Sequence, residues 1–354
     1  CAVRVLVVDD SAFMRKAITQ MLSGHSDIDV IGTGRNGREA VELSRREKPD
    51  VITLDIEMPE MDGLTALRQI MRDCPTQVLM LSSLTTEGSH AALTALKIGA
   101  ADFLAKDQSQ ISLAITNIEA ELLTKVRALG RTKPRKRIFS QPAATQPAQS
   151  QALPAFRSGQ FDLICIGSST GGPPVLEAIA AALPATLKTP IVIAQHMPEV
   201  FSRSMAERLA RTCRLNVKHV ESGMPIENGT VYICPGNHHT HVRKVRLAHY
   251  DLRVSDEPKE ALYRPSASVL IRTATEAAGS RVLAIILTGI GDDGLEGCRF
   301  LKGRGGPIIA QDEETCVVYG MPKCVTEAGL ATATLPPRLI TEVLRKLSGA
   351  AAAA

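Results

Sequence analysis

The chain has 354 residues, 44% of them hydrophobic but only 3% aromatic, with no tryptophan and a formal net charge of +4. That length predicts two domains of roughly 100–200 residues each, with aliphatic cores suited to parallel strands buried on both faces. The small net charge gives no ground for expecting a nucleic-acid partner. No apolar run reaches the roughly 18 residues of a membrane span, and no signal peptide opens the sequence. The expected setting is therefore cytoplasmic and not membrane-embedded. The eight cysteines form no C-x-x-C pair, and Cys165 and Cys234 sit inside apolar strand-like runs, so reduced thiols are expected.

From residue 4 to about 129, short aliphatic runs alternate with amphipathic stretches. Strands are predicted at 4–8, 28–32, 51–55, 77–82 and 102–105, with helical patterns between them such as NGREAVELSRREK at 36–48. Five βα units imply an open parallel sheet with helices on both faces, and ligands of such sheets bind at the carboxyl ends of the strands. Asp9, Asp10 and Asp55 all fall there. Gathered carboxylates repel one another. A hard divalent ion such as Mg²⁺ relieves this by taking one or two of them with waters and a phosphate oxygen. Asp55, ending the middle strand in LDIEMPEMDG, is the natural acceptor of a phosphoryl group as an acyl phosphate.

In order, VVDDS, LDIEMPEMDG, MLSS and ADFLAK have the spacing of a response-regulator receiver domain, which residues 1–129 resemble over their full length. The resemblance implies a flavodoxin-like (βα)5 fold and phosphorylation of Asp55 by a histidine kinase. It implies Mg²⁺ bound by Asp10 and Asp55, with Asp9 supporting the pocket and the backbone carbonyl of Glu57 completing the metal shell. Ser82 is then expected to hydrogen-bond the incoming phosphoryl oxygen, Lys106 to pair with its charge, and Phe103 to be the aromatic reporter of the switch. Asp107 stands where the family usually has proline, an extra carboxylate expected to weaken the pull of Lys106.

Residues 130–160 break the βα rhythm with six Lys/Arg and no acid, followed by Pro, Gln, Ala and Ser. Such a composition cannot bury enough apolar surface to order itself, so a flexible linker is expected. The basic cluster Arg131–Arg137 lacks the aromatic or groove-reading company of a nucleic-acid site.

The alternation resumes at 161, with strands predicted at 162–167, 190–195, 217–220, 231–234, 282–288 and 307–310. A hairpin is expected over 240–255 and a helix over 265–279, with Pro265 near its start. The first strand, in FDLICIGSSTGG at 161–172, ends on Gly167-Ser168-Ser169-Thr170-Gly171. That is G-x-S-x-G, the sharp strand-to-helix turn that presents a nucleophilic hydroxyl between small residues. Ser169 needs a base, and His196, ending the strand PIVIAQH, is the best placed of eight histidines. A carboxylate to orient the imidazole is available in AIILTGIGDDGLEG at 284–297, where a buried strand meets a Gly-rich turn carrying Asp292 and Asp293. The order Ser, His, Asp differs from the Ser, Asp, His of α/β-hydrolases.

Two other readings of this half are weaker. GSSTGG as a phosphate loop lacks G-x-G-x-x-G and the Walker lysine. The run Asn237-His238-His239-Thr240-His241 has no Cys or carboxylate at metal spacing, so zinc is disfavoured and some of these histidines are expected to line the cleft.

IGSSTGG, QHMP, the PGN-x-H segment, RPSASVL, LTGIGDDG and AQDEETCVVYGMP together resemble the chemotaxis protein-glutamate methylesterase family, CheB, over residues 161–348. The resemblance implies a second, doubly wound, mostly parallel α/β domain that needs no cofactor. In it Ser169 is the nucleophile, His196 the base and then acid, and Asp293 the orienting carboxylate. Thr170 helps position the histidine, and the backbone amide of Ile290 supplies part of the oxyanion hole. The family commonly has Met at the place of Ile290 and Asn at that of Asp292. A backbone donor survives the first change, while the second adds a negative charge that is expected to move the pH optimum upward. The implied activity is phosphorylation-activated hydrolysis of glutamyl methyl esters on chemoreceptors, with deamidation of certain glutamines. The competing class is a non-catalytic regulator acting through a binding domain, against which the intact Ser/His/Asp set counts. Residues 349–354 are expected to be a disordered tail.

Overall fold

Aliphatic runs ending in acids or glycines become strands here because their β-branched side chains fill both faces of buried sheets. The computed structural model describes residues 2–106, 113–133 and 153–349. The expectations for Asp107, for most of the linker and for the terminal alanines lie outside these. The chain divides into two units, Cys1–Ile138 and Phe139–Ala354.

In the first unit the order is β1 (Val3–Val8), α1 (Ala12–Ser23), β2 (Ile28–Gly34), α2 (Gly37–Glu47) and β3 (Val51–Asp55). It continues with α3 (Gly63–Asp73), β4 (Gln77–Ser83), α4 (Thr86–Ile98), β5 (Asp102–Lys106) and α5 (Leu113–Gly130). Ser11, Asn36, Asp62 and Thr85 cap the first four helices, each side chain accepting from a backbone N–H of the first turn. The sheet order is β2-β1-β3-β4-β5, all parallel. The order reverses between β1 and β3, so a crevice opens at their carboxyl ends.

The second unit opens with β6 (Leu163–Ser168), α6 (Gly172–Ala182), β7 (Ile191–Gln195) and α7 (Glu199–Ala210). β8 (Asn216–His219), β9 (Met224–Pro225), β10 (Thr230–Ile233), β11 (His239–Arg246) and β12 (His249–Ser255) follow. The chain then runs through α8 (Ala267–Ala278), β13 (Val282–Ile286), α9 (Leu295–Gly303) and β14 (Ile308–Gln311). α10 (Met321–Glu327), β15 (Ala333–Leu335) and α11 (Pro337–Leu347) complete it. Seven strands form a parallel sheet in the order β15-β14-β13-β6-β7-β10-β8, and β11-β12-β9 make a separate antiparallel one. The expected hairpin is the β11–β12 pair. β9 and β15, of two and three residues, carry too little pattern to be read from the sequence.

The large sheet also reverses its order, around β6. Ser168 is in register with Gln195, and Gly167 with Ile286. The chain therefore leaves β6, β7 and β13 at one height on one edge, where Ser169, His196 and the turn carrying Asp293 follow. Among the described residues no helix is long and apolar enough to cross a membrane.

Candidate active site and acidic pocket

The turn after β6 is held by backbone and by one buried glutamine. The Ser169 amide donates to the Thr288 carbonyl at 3.0 Å, and the Ser169 carbonyl accepts from the Gly172 amide at 2.8 Å. Gln195, the last residue of β7, donates from Nε2 to the carbonyls of Ser169 at 3.0 Å and of His196 at 3.2 Å. Its Oε1 accepts from the Ser168 hydroxyl at 2.6 Å. One side chain thus ties the Ser169 turn to the backbone of His196. Glycines supply the room. Gly171 takes φ of 78° as the helix starts, and a Cβ on Gly289 would stand 2.7 Å from that of Ser169. Ser169 is partly exposed, while Thr170 beside it is buried.

His196 and Asp293 meet through Nε2 and Oδ2 at 2.7 Å. Asp293 also accepts from the Ser266 hydroxyl at 2.8 Å and from the amides of Ala267 (2.6 Å), Ser268 (3.0 Å) and Gly294 (2.9 Å). Two of those amides are the open N-terminal donors of α8, which favour a negative charge there. Burial works against ionising the carboxyl, but His196 and these amides outweigh it and hold the pKa at about 2. An ionised carboxylate only accepts, so in the neutral imidazole Nε2 carries the proton and Nδ1 the lone pair. Nδ1 is buried with no hydrogen-bond partner among the described residues.

Opposite lies the turn 288–293. Its Gly289 carbonyl accepts from the amides of Gly320 at 3.1 Å and Met321 at 3.0 Å. Thr288 Oγ1 accepts from the amides of Val317 and Val318, both at 3.1 Å, and its own amide donates to Gln311 Oε1 at 2.8 Å. The segment AQDEETCVVYGMP therefore braces this turn. The Ile290 amide is paired with no acceptor among the described residues, so it is free to donate to a group brought to the turn. Asp292 is exposed, next to the buried Asp293.

Sequence reasoning missed Gln195, Thr288, Gln311 and Tyr263. Tyr263 stacks on the His196 ring with centroids 4.6 Å apart and planes 3° from parallel. The histidine run divides. His239 is fully buried, so it lines no open cleft. His238 pairs with Asp256 at 2.6 Å, and His241 with the Glu257 carbonyl at 2.8 Å.

In the first unit, carboxylate oxygens of Asp9, Asp10 and Asp55 lie within 4.8 Å of one another. Asp9 and Asp55 are buried and Asp10 is exposed. Lys106 Nζ reaches Asp55 Oδ1 at 2.6 Å and Asp9 Oδ2 at 3.4 Å. Burial pushes the Asp55 carboxyl up to about 6 and raises that of Asp9, even against the pull of Lys106. Three carboxylates facing one ammonium leave an uncompensated negative charge, and this oxygen donor set fits a hard divalent cation. Ser82 donates to the Gly88 carbonyl at 2.8 Å, linking the end of β4 to the first turn of α4. Phe103 is buried with Lys125 Nζ 5.4 Å from its ring centre, and Glu57 is exposed two residues past Asp55.

Comparison with known proteins gives the same division. Residues 164–344 match the family described as CheB methylesterase, and residues 5–116 the response regulator receiver domain. The chain is 47% identical over 350 residues to the protein-glutamate methylesterase/protein-glutamine glutaminase 1 of Oleidesulfovibrio alaskensis, covering 93% of this chain and 95% of that one. It is 42% identical over 350 residues to the protein-glutamate methylesterase/protein-glutamine glutaminase of Thermotoga maritima, covering 98% of each. The crystal structure of the Thermotoga maritima CheB methylesterase catalytic domain is similar with a TM-score of 0.51 at 42% identity, covering 53% of this chain and 98% of that one.

Proposed function

Because this chain belongs to the CheB methylesterase family, with a response regulator receiver domain ahead of the catalytic one, we propose that it hydrolyses glutamyl methyl esters on chemoreceptors and deamidates receptor glutamines. The observation that carries the reading is the Asp293–His196 pair at 2.7 Å, with a lone-pair nitrogen left over at the same sheet edge as Ser169.

In this mechanism Ser169 Oγ attacks the ester carbonyl as its proton passes to His196 Nδ1. Asp293 holds the opposite nitrogen, fixing the tautomer and steadying the imidazolium. The oxyanion is received by the Ile290 amide, and Thr170 helps hold the histidine in place. His196 then protonates the departing methoxy oxygen, and methanol leaves. A water activated by the same histidine clears the acyl-enzyme and returns the carboxylate. With a glutamine substrate the leaving group is ammonia.

The acidic pocket is the proposed switch. Asp55 accepts a phosphoryl group from a histidine kinase; Asp10, Asp55 and the Glu57 carbonyl, supported by Asp9, would hold Mg²⁺. The ion, when bound, supplies charge neutralisation for the incoming phosphoryl oxygens. Lys106 pairs with the phosphoryl charge, Ser82 exchanges its bond to Gly88 for one to phosphoryl oxygen, and Phe103 responds. Phosphorylation biases the receiver toward a second conformation and releases a restraint on the esterase. A cytoplasmic location follows from such partners.

The test is methanol release from methylated receptor membranes with Mg²⁺, with and without a small-molecule phosphodonor. The account predicts release that the phosphodonor stimulates and that Ser169→Ala abolishes. Release that ignores the phosphodonor would sink the switch while keeping the esterase.

A further inference from the structure

We propose that Tyr263 is a positioning residue for proton transfer at His196, holding the imidazole by its face and steadying the charge it acquires. This rests on the esterase reading above. The rings lie 4.6 Å apart and 3° from parallel, so the tyrosine stacks, offset, on one face of the base. Tyr263 comes from the segment between β12 and α8, three residues before the α8 cap Ser266. Ser266 itself donates to Asp293 at 2.8 Å. One short stretch thus supplies the ring on the face of the imidazole and a donor to the carboxylate on its edge.

A third contact fixes the tyrosine in place. A Cβ on Gly291 would stand 2.2 Å from the tyrosine hydroxyl, and Gly291 has φ of +86°. The ring tip therefore lies directly over the backbone between Ile290 and Asp292, and only glycine leaves it room. Tyr263 bridges the base and the oxyanion turn. Burial, then Asp292 and Asp293, push its phenol above the usual range, so the ring stays neutral.

The imidazole takes up the Ser169 proton from its neutral form. It becomes a cation while the Oγ–C bond forms and the Ser169 proton sits on Nδ1. It is neutral again once that proton has gone to the methoxy oxygen as the C–O bond breaks. Tyr263 gains and loses no proton. A ring face carries negative quadrupole charge and attracts a cation within about 6 Å. That attraction is stronger for imidazolium than for imidazole, and an interaction that grows toward the transition state raises kcat rather than affinity.

Full-length protein with Phe, or with progressively fluorinated Phe, at position 263 tests this on methanol release from methylated receptor membranes. Fluorine drains the ring face without changing the stack. Tyr263→Phe should stay within about twofold of wild type, while kcat falls along the series to about tenfold at the pentafluoro ring, with KM unchanged. A flat series, or a Phe variant as impaired as the pentafluoro one, would overturn the proposal. Ser169→Ala run alongside separates the two claims. Release that persists in it sinks the esterase reading itself, whereas a flat series with Ser169-dependent release sinks only the role of Tyr263.

Discussion

Replacing Asp293 by Asn removes one charge from a position that accepts five hydrogen bonds, and the consequence follows from counting donors. Oδ2 faces His196 Nε2 and the Ala267 amide, while Oδ1 faces the Ser266 hydroxyl and the amides of Ser268 and Gly294. An amide has one acceptor oxygen and one NH₂ group, so its NH₂ must point at one of these donor sets. The less crowded choice places it at the Oδ2 side, where His196 can answer only by presenting Nε2 as an acceptor. The imidazole proton then moves to Nδ1, and the base no longer has a lone pair to offer Ser169. The expected loss in kcat is about 10⁴-fold, the scale of a wrong tautomer in a triad. Stability should fall as well. A carboxyl at about 2 in the folded chain, against an ordinary 3.8, contributes on the order of 2 kcal/mol near neutral pH. Because its folded value is depressed, that contribution is present above about pH 4 and fades as pH falls toward 2. The stability gap between wild type and variant should therefore close over that window. Steady-state methanol release, acid-range thermal melts and ¹⁵N NMR of the His196 ring provide the readouts. A variant within tenfold of wild type, with the proton still on Nε2, would refute the tautomer argument.

Other perturbations have equally definite outcomes. Gln195→Leu leaves the fully buried Ser168 hydroxyl without its acceptor and takes a donor from the His196 carbonyl and from that of Ser169, which keeps the Gly172 amide. It should cost about 2–4 kcal/mol in a denaturant melt, and about 10²-fold in kcat through misplaced reacting groups. Gly63→Ala would put a Cβ 2.0 Å from the Asp55 carbonyl oxygen, so acyl-phosphate formation from a small-molecule donor should fail while basal methanol release persists. Chelation of divalent ions should abolish phosphodonor stimulation and leave basal hydrolysis unchanged, as measured by methanol release in EDTA.

Much of this was legible in the sequence because catalysis sits where secondary structure ends. Asp9, Asp55, Ser169 and His196 each follow a run of aliphatic residues, and strand ends on one sheet edge must converge. The supporting residues were not legible for the opposite reason. Gln195 ends its strand in a way that reads as a polar terminus, and Thr288 and Gln311 look like ordinary exits from buried strands. Tyr263 lies in an aperiodic stretch between a hairpin and a helix, so no pattern says which way its ring turns. Only the pairing of β6 with β7 and β13 brings these side chains together. Nor does the histidine run show in its pattern which member is covered; His239, in β11, is the buried one.

The most direct test of the central claim is to trap the covalent intermediate. Full-length protein is mixed with a methylated receptor peptide, quenched in acid within milliseconds and digested for mass spectrometry. The account predicts a glutamyl ester on Ser169, with methanol released in equal amount before the ester decays. Methanol release with no adduct on Ser169, or an adduct on another residue, would contradict it.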